Sequence, residues 1–328
     1  MRTLTMPQIG NEASVVGFGC WGLSGPHTWT GGDDADGIAA VHRALDLGIN
    51  FFDVAPRYGE GHAEEVLGRA VGSRRSEVLI ATKCGLTWEN GIDGWDLTAA
   101  AIRREIDDSL RRLGTDYVDV YQMHWPDHGT PIEESMGAMV GLLEAGKIRS
   151  IGLSNFSIEE MRRAMAVAPL ATHQGLFNML EHNPVHYHGI PLEYRTRDEI
   201  LPFMVEHGMV FLPYSPLMQG LLTDGYDPES VDETDVRRAN PRLFGPEAGP
   251  YADAAASLRS FAGELGKPLA QVAVNWVTQQ PGMGPVISGA QTAEQIEGIA
   301  AAGEWELTAA DLGAIDEVLE PLDAAGLL

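Results

Sequence analysis

Short apolar runs alternate with longer stretches in which apolar positions recur every three or four residues. Val15–Gly19 has the length and composition of a buried strand. Asp33–Leu47 follows, with Ile38, Val41 and Leu45 on one helical face and Gly48 as its stop. The same pattern predicts further strands at Ile49–Val54, Val78–Thr82, Val118–Met123, Ile148–Leu153, Thr172–Leu176, Met209–Pro213 and Pro285–Ser288. Helices are predicted at Ala63–Val71, Thr98–Leu113, Ile132–Ala145, near Asp198–Glu206 and from Ala293. In Thr98–Leu113 the residues Ile102, Ile106, Leu110 and Leu113 form one stripe. Ser157 and Glu160 read as a capping box, with Phe156 placed to staple onto Met161. Unbroken strand–helix alternation of this kind predicts an α/β fold, a parallel (β/α)8 TIM barrel wrapped by helices.

Several segments stand outside that repeat. Residues 1–14 read as an N-terminal hairpin plug for the barrel bottom. Residues 216–250 form a long loop rich in Gly, Pro and Asp, a type that usually carries function. Pro268–Gln280 is an extra helix, opened by Pro268 and stopped by Pro281, and Ala309–Leu319 is another near the C-terminus. Nothing between residues 1 and 328 reads as a linker, so a single barrel domain is expected.

Composition narrows the partners. The formal charge is −25, which would repel nucleic acid and anionic membranes. The lysines are Lys83, Lys147 and Lys267, and the remaining positive charge is arginine. High genomic GC content and a salt-adapted surface are both open as its origin. Cys20 and Cys84 are too few for a disulfide framework and fit a reducing compartment. The opening residues lack the apolar stretch of a signal peptide, and no apolar run is as long as a membrane span. A cytoplasmic protein without membrane or nucleic acid partners is expected.

In such barrels chemistry sits at the C-terminal ends of the strands. There the second strand ends in Asp53, with Tyr58 five residues on; the third ends in Lys83 and the fourth in Gln122-Met-His124. Each residue alone has a bland reading: a cap, a solvated cation, a packed ring. Together they make a proton donor. Tyrosine has a reference pKa near 10. A neighbouring ammonium is expected to lower it, Asp53 to keep Lys83 charged, and His124 to bond the phenol or a substrate oxygen.

These residues lie within a longer set of motifs: Gly17-Phe-Gly-Cys-Trp-Gly-Leu23, Phe52-Asp-Val-Ala-Pro-Arg-Tyr-Gly-Glu-Gly61, Ile80-Ala-Thr-Lys83, Asp116-Tyr-Val-Asp-Val-Tyr-Gln-Met-His124, Gly146-Lys-Ile-Arg-Ser-Ile-Gly-Leu-Ser-Asn-Phe156 and Pro213-Tyr-Ser-Pro-Leu-Met-Gln-Gly-Leu-Leu222. In this order the chain resembles the aldo-keto reductase superfamily over nearly its whole length. The resemblance implies interconversion of an aldehyde or ketone, or a sugar lactol, with an alcohol or lactone by direct hydride transfer from NADP or NAD, without a metal. It implies Tyr58 as general acid, tuned by Asp53 and Lys83, with His124 orienting the carbonyl. Ser154, Asn155 and Gln174 would hold the nicotinamide carboxamide, and Tyr214 would stack on its ring. The backbone of Ser215, Pro216, Leu217, Gln219, Gly220 and Leu221 would hold the pyrophosphate. Gly19, Cys20, Trp21 and Asp53 would border the nicotinamide ribose, and Ser288, Gly289, Gln291 and Gln295 the adenosine side.

One departure bears on the cofactor. Where the family usually has Arg or Lys after its strand-eight turn, this chain has Gln291, which lacks the charge that suits a ribose 2′-phosphate. NAD or dual use therefore stays open, as does compensation by Arg242. Other readings are a Rossmann fingerprint in Gly17-x-Gly-x-x-Gly22, whose helix follows too late, and a metal at His182, His186 and His188. The alternative function is a cofactor-binding interaction subunit like the potassium channel β subunits, which resemble the same superfamily. Trp21, Trp29, Trp88, Trp95 and Trp125 fall in loops at the strand ends. Trp21, Trp29, Trp88 and Trp125 are candidates to line a carbonyl or sugar substrate site. The oligomeric state is not legible.

Overall fold

The computed structural model describes residues 1–25, 33–89, 92–187, 189–233 and 235–328. Its centre is a closed barrel of eight parallel strands: β1 (Val16–Gly19), β2 (Phe51–Asp53), β3 (Leu79–Cys84), β4 (Val120–Met123), β5 (Ile151–Ser154), β6 (Thr172–Leu176), β7 (Val210–Tyr214) and β8 (Val286–Gly289). Neighbours in sequence are neighbours in space, and β8 closes onto β1 with Ser288 opposite Phe18. Helices on the outside and side chains on the inside bury both faces of the sheet. That is why the strands read as nearly unbroken apolar runs rather than as alternating ones.

The wrapping helices are α1 (Asp34–Asp46), α2 (His62–Val71), α3 (Ala99–Leu113), α4 (Ile132–Glu144), α5 (Ile158–Met165), α6 (Leu201–Glu206), α7 (Pro241–Phe244), α8 (Ala248–Glu264), α9 (Leu269–Thr278), α10 (Ala293–Ala300) and α11 (Ala309–Ala324). Local chemistry sets their starts. Asp33, Thr98, Ser157, Thr292 and Thr308 each accept a backbone N–H at a helix N-terminus. The Ser157–Glu160 capping box is present in both directions. The close packing of α2 on α3 depends on Gly68, where a Cβ would lie 2.7 Å from the Leu113 carbonyl oxygen.

Inside the barrel, strand periodicity sorts the side chains by height, because residues two apart share a face. Phe51, Leu79, Ala81, Val120, Val210, Leu212 and Ile287 form an apolar cluster. Two residues further along β2, β3 and β4 come Asp53, Lys83 and Gln122, which bond to one another. The interior is thus apolar below and polar at the C-terminal mouth. The N-terminal hairpin, Thr3–Thr5 paired antiparallel with Glu12–Ser14, closes the lower end. Met6 and Ala13 are fully buried in the same apolar cluster, as the plug reading expects.

The structure also departs from the expectation. Leu86–Glu89 and Ile92–Trp95 form a hairpin beyond β3, and His186–Tyr187 with Ile190–Pro191 a smaller one beyond β6. A π-helical turn at Thr196–Ile200 precedes a shortened α6. Helix α8 was not anticipated, although Tyr251, Ala254, Ala255, Leu258 and Ala262 bury one face of it. Its alanine-rich stripe gives a faint periodic signal, which continued the irregular pattern of the preceding loop. Among the described residues no helix is long and apolar enough to cross a membrane.

The plug is testable. Met6→Ala removes a fully buried side chain from the barrel floor and should cost about 2–5 kcal/mol in urea unfolding. KM for cofactor and substrate should be unchanged, because the polar mouth is at the other end.

Candidate active site

Lys83 reaches the mouth from β3 with its side chain fully buried. Its Nζ donates to Asp53 Oδ1 at 2.6 Å, to the Val54 carbonyl oxygen at 3.2 Å and to Tyr58 Oη at 3.2 Å. An unpaired ammonium there would be very costly, so Asp53, itself buried, is the condition for Lys83 to stay charged. Asp53 Oδ2 accepts from Gln174 Nε2 at 2.8 Å and from Gln122 Nε2 at 3.3 Å. The carboxylate is therefore held from β3, β4 and β6 at once.

Tyr58 stands on the turn between β2 and α2, half-buried. Trp21 meets its ring edge-on at 4.9 Å, and His124 lies across it at 6.1 Å between centroids. The four candidate catalytic residues, Asp53, Tyr58, Lys83 and His124, converge on one place. The expected electrostatics need correction. Burial pushes the Tyr58 phenol up to about 12, and the opposing pull of the Lys83 ammonium does not overcome it. Lys83 stays above its ordinary value: burial works against its charge, but Asp53 and Tyr58 outweigh that. Burial, with Lys83 and Arg57 adding to it, holds His124 well below the usual imidazole range, so it is neutral at pH 7.

The rest of the mouth follows the strand ends. Asn155 adopts a left-handed backbone, φ 64°, just after β5. Its Oδ1 accepts from the Tyr194 and Tyr214 hydroxyls, both at 3.0 Å, and its Nδ2 donates to Ser154 Oγ at 3.1 Å. Ser154, Asn155, Gln174 and Tyr214 thus form a single polar wall beside the Asp53–Lys83 pair. After β7, Ser215, Met218, Gln219 and Gly220 all have positive φ. That backbone is strained for residues with side chains, and it is the form that builds anion-binding nests. Across the mouth, Gly22 packs so tightly that a Cβ would lie 2.6 Å from the Ala290 carbonyl oxygen. Ser288 Oγ and Gln291 Nε2 are buried without a hydrogen-bond partner. A strained nest and orphaned polar atoms flanking a polar wall fit a dinucleotide laid from Tyr214 towards Gln291. Gln295 is exposed and caps the turn by accepting from the Gln291 backbone N–H at 2.7 Å.

A family model described as Aldo/keto reductase family matches residues 15–320. The chain belongs to this family. It is similar to Aldo-keto reductase YhdN of Bacillus subtilis (strain 168), 37% identical over 324 residues covering 98% of this chain and 94% of that one. The NADH-specific methylglyoxal reductase of Escherichia coli (strain K12) is 30% identical over 342 aligned positions, covering 98% of this chain and 100% of that one. Among solved structures, the glycerol dehydrogenase AKR11B4 from Gluconobacter oxydans has a TM-score of 0.86 and 37% identity, covering 97% of this chain and 95% of that one. This aldo-keto reductase is accordingly an NAD(P)-dependent oxidoreductase.

Other candidates fall in different places. Trp21 is half-buried against Tyr58 and borders the mouth. Trp88 is half-buried in the hairpin beyond β3, and Trp95 in the same hairpin is 50% exposed. Trp125 is buried in the core between barrel and helices. Trp29 lies outside the described residues, as does His188. His182 stacks on Trp276 at 5.1 Å and bonds Arg197, so it packs the outside of the barrel. Arg242 is not a free cation in reserve for a phosphate: its Nη1 donates to Glu181 Oε1 at 2.6 Å in a buried pair. Sequence reasoning missed Gln122 and Tyr194 as supports of Asp53 and Asn155. Gln122 was visible as a polar residue on a buried strand, two places after Val120. Tyr194 gave no signal, because its loop has no periodicity.

Glu105 supports the same end of β3 from outside. Its Oε2 accepts from the Gly85 N–H at 2.9 Å, while Oε1 is buried without a partner, and burial raises the carboxyl to about 7. The folded chain therefore holds a proton there that the unfolded chain releases near pH 4.5. Stability is fully present below that pH and declines as pH rises through about 7. Chemical denaturation between pH 5 and 8 should show a loss on the order of 2–3 kcal/mol from this group. Glu105→Gln should flatten that slope.

Proposed function

We propose that this aldo-keto reductase interconverts a small aldehyde, ketone or sugar lactol with the corresponding alcohol or lactone, with Tyr58 moving the proton. The observation that carries the reading is the buried Asp53–Lys83 pair with Lys83 Nζ 3.2 Å from Tyr58 Oη. The nicotinamide, when bound, supplies or accepts the hydride. In reduction, Tyr58 Oη gives its proton to the carbonyl oxygen, and the phenolate left behind faces a fixed ammonium. The raised pKa keeps the phenol loaded at neutral pH, and Lys83 stabilises the charge that develops only as the proton leaves. Neutral His124 offers a hydrogen bond to the substrate oxygen without competing for the proton. Trp21 walls the site beside Tyr58.

Ser154, Asn155 and Gln174 would hold the carboxamide, Tyr214 the ring face, and the Ser215–Leu221 backbone the pyrophosphate. For the adenosine side we infer NAD in preference to NADP. Gln291 is uncharged and Arg242 is already paired with Glu181, so no guanidinium among these residues is left for a 2′-phosphate. The similarity to an NADH-specific relative supports the same direction. Glycerol-sized polyols and their aldehydes are the first substrates to examine, given the relative named a glycerol dehydrogenase.

Tyr58→Phe should lower kcat for aldehyde reduction about 10²–10⁴-fold with cofactor affinity retained. Full turnover in that variant across a panel of aldehydes and sugars would overturn the mechanism. Titration of tryptophan fluorescence with NADH and NADPH should give tighter binding of NADH. Tenfold tighter NADPH would overturn the cofactor assignment.

A further inference from the structure

A buried carboxylate outside the catalytic group sits between the two elements that carry Tyr58 and Lys83. Glu64 lies in the first turn of α2 and is fully buried. Its Oε1 accepts from Thr82 Oγ1 at 2.6 Å, and its Oε2 accepts from Arg112 Nε at 2.7 Å. Thr82 immediately precedes Lys83 on β3 and points to the opposite side of the strand. Arg112, near the end of α3, packs along the Tyr58 turn: a Cβ on Gly61 would lie 2.7 Å from its Cδ. The turn itself is continuous with α2, because the Ala63 N–H donates to the Tyr58 carbonyl oxygen at 3.2 Å.

We propose that Glu64, with Arg112 and Thr82, is a positioning residue for proton transfer, fixing the Tyr58 turn against β3 so that Tyr58 Oη stays within reach of Lys83 Nζ. The inference rests on Tyr58 being the proton donor. Two facts give it weight. The Lys83–Tyr58 hydrogen bond, at 3.2 Å, is at the long end of the N–H···O range, so a further half ångström would break it. And a buried ion pair is seldom a gain in stability over apolar packing of the same volume, whereas it does fix geometry through directed bonds. Thr82, Glu64 and Arg112 come from β3, α2 and α3, and their bonds set these three elements in register on the outer side of the site.

The test uses the full-length chain with NADH and its best aldehyde. Glu64→Gln and Thr82→Val should each lower kcat about 10–100-fold, the scale of a misplacement near 1 Å. KM and the cofactor dissociation constant should stay within threefold. The solvent deuterium isotope effect on kcat should rise, because proton delivery becomes slower while the hydride partners are undisturbed. In a Tyr58→Phe background, adding Glu64→Gln should change the residual turnover less than twofold. Thr82→Val exchanges the hydroxyl for a methyl at nearly constant shape and carries the test if Glu64→Gln does not fold. Full kcat in the folded variants, an equal loss in both Tyr58 backgrounds, or cofactor affinity falling in step with kcat would overturn the positioning role. Wild-type turnover in Tyr58→Phe itself would instead overturn the proton-donor reading, and this inference with it.

Discussion

A lysine ammonium buried at the mouth of a barrel has to be answered by a carboxylate, and much of this site can be read as the consequence. Asp53 supplies the charge to Lys83. Gln122 and Gln174 both donate to Asp53 Oδ2, and the Val54 carbonyl oxygen accepts a further hydrogen bond from Lys83 Nζ. Bonds from several strands leave the pair little freedom to relax. That rigidity matters because Tyr58 meets Lys83 through a single hydrogen bond. The electrostatic effect on the phenol is a balance: burial raises its pKa, and Lys83 offsets part of that rise. The resting phenol therefore stays protonated with a fixed ammonium 3.2 Å from its oxygen, which is what the proposed proton transfer requires.

The barrel interior makes this affordable. Strand periodicity places Phe51, Ala81 and Val120 two residues below Asp53, Lys83 and Gln122, so one set of strands delivers both the apolar floor and the polar mouth. The hairpin that seats Met6 and Ala13 closes the lower end. Around the rim the wall from Ser154 to Tyr214, the positive-φ turn from Ser215 to Gly220 and the orphaned Ser288 and Gln291 atoms lie in strand order. This order follows from the closure of β8 onto β1.

The legible parts of the sequence were those governed by local rules. All eight strands, the capping box at Ser157 and the strand-end positions of Asp53, Lys83 and His124 follow from periodicity, cap chemistry and the barrel rule. Helix α8 was missed because an alanine stripe gives weak apolar contrast. The hairpin beyond β3 does carry a local signal, since apolar and polar residues alternate in Leu86–Glu89 and begin to again at Ile92 on either side of Asn90-Gly91, but the strand–helix repeat of the barrel does not call for it. Trp125 illustrates a different limit. A loop position is readable from sequence, but whether the indole faces a cleft or the core depends on what packs over it, and here the core takes it.

The sequence by itself determined the fold, the family's motif order and the presence of Asp53, Tyr58, Lys83 and His124 at the mouth, because each is encoded in spacing along one chain. Only the tertiary structure decided how those residues act on one another. The net rise of the Tyr58 pKa, the neutrality of His124 and the commitment of Arg242 to Glu181 are sums over neighbours far apart in sequence. At Tyr58 burial and the Lys83 charge pull in opposite directions and burial prevails, whereas at His124 burial and the nearby cations act together, so the outcome depends on ångström distances that residue spacing does not contain.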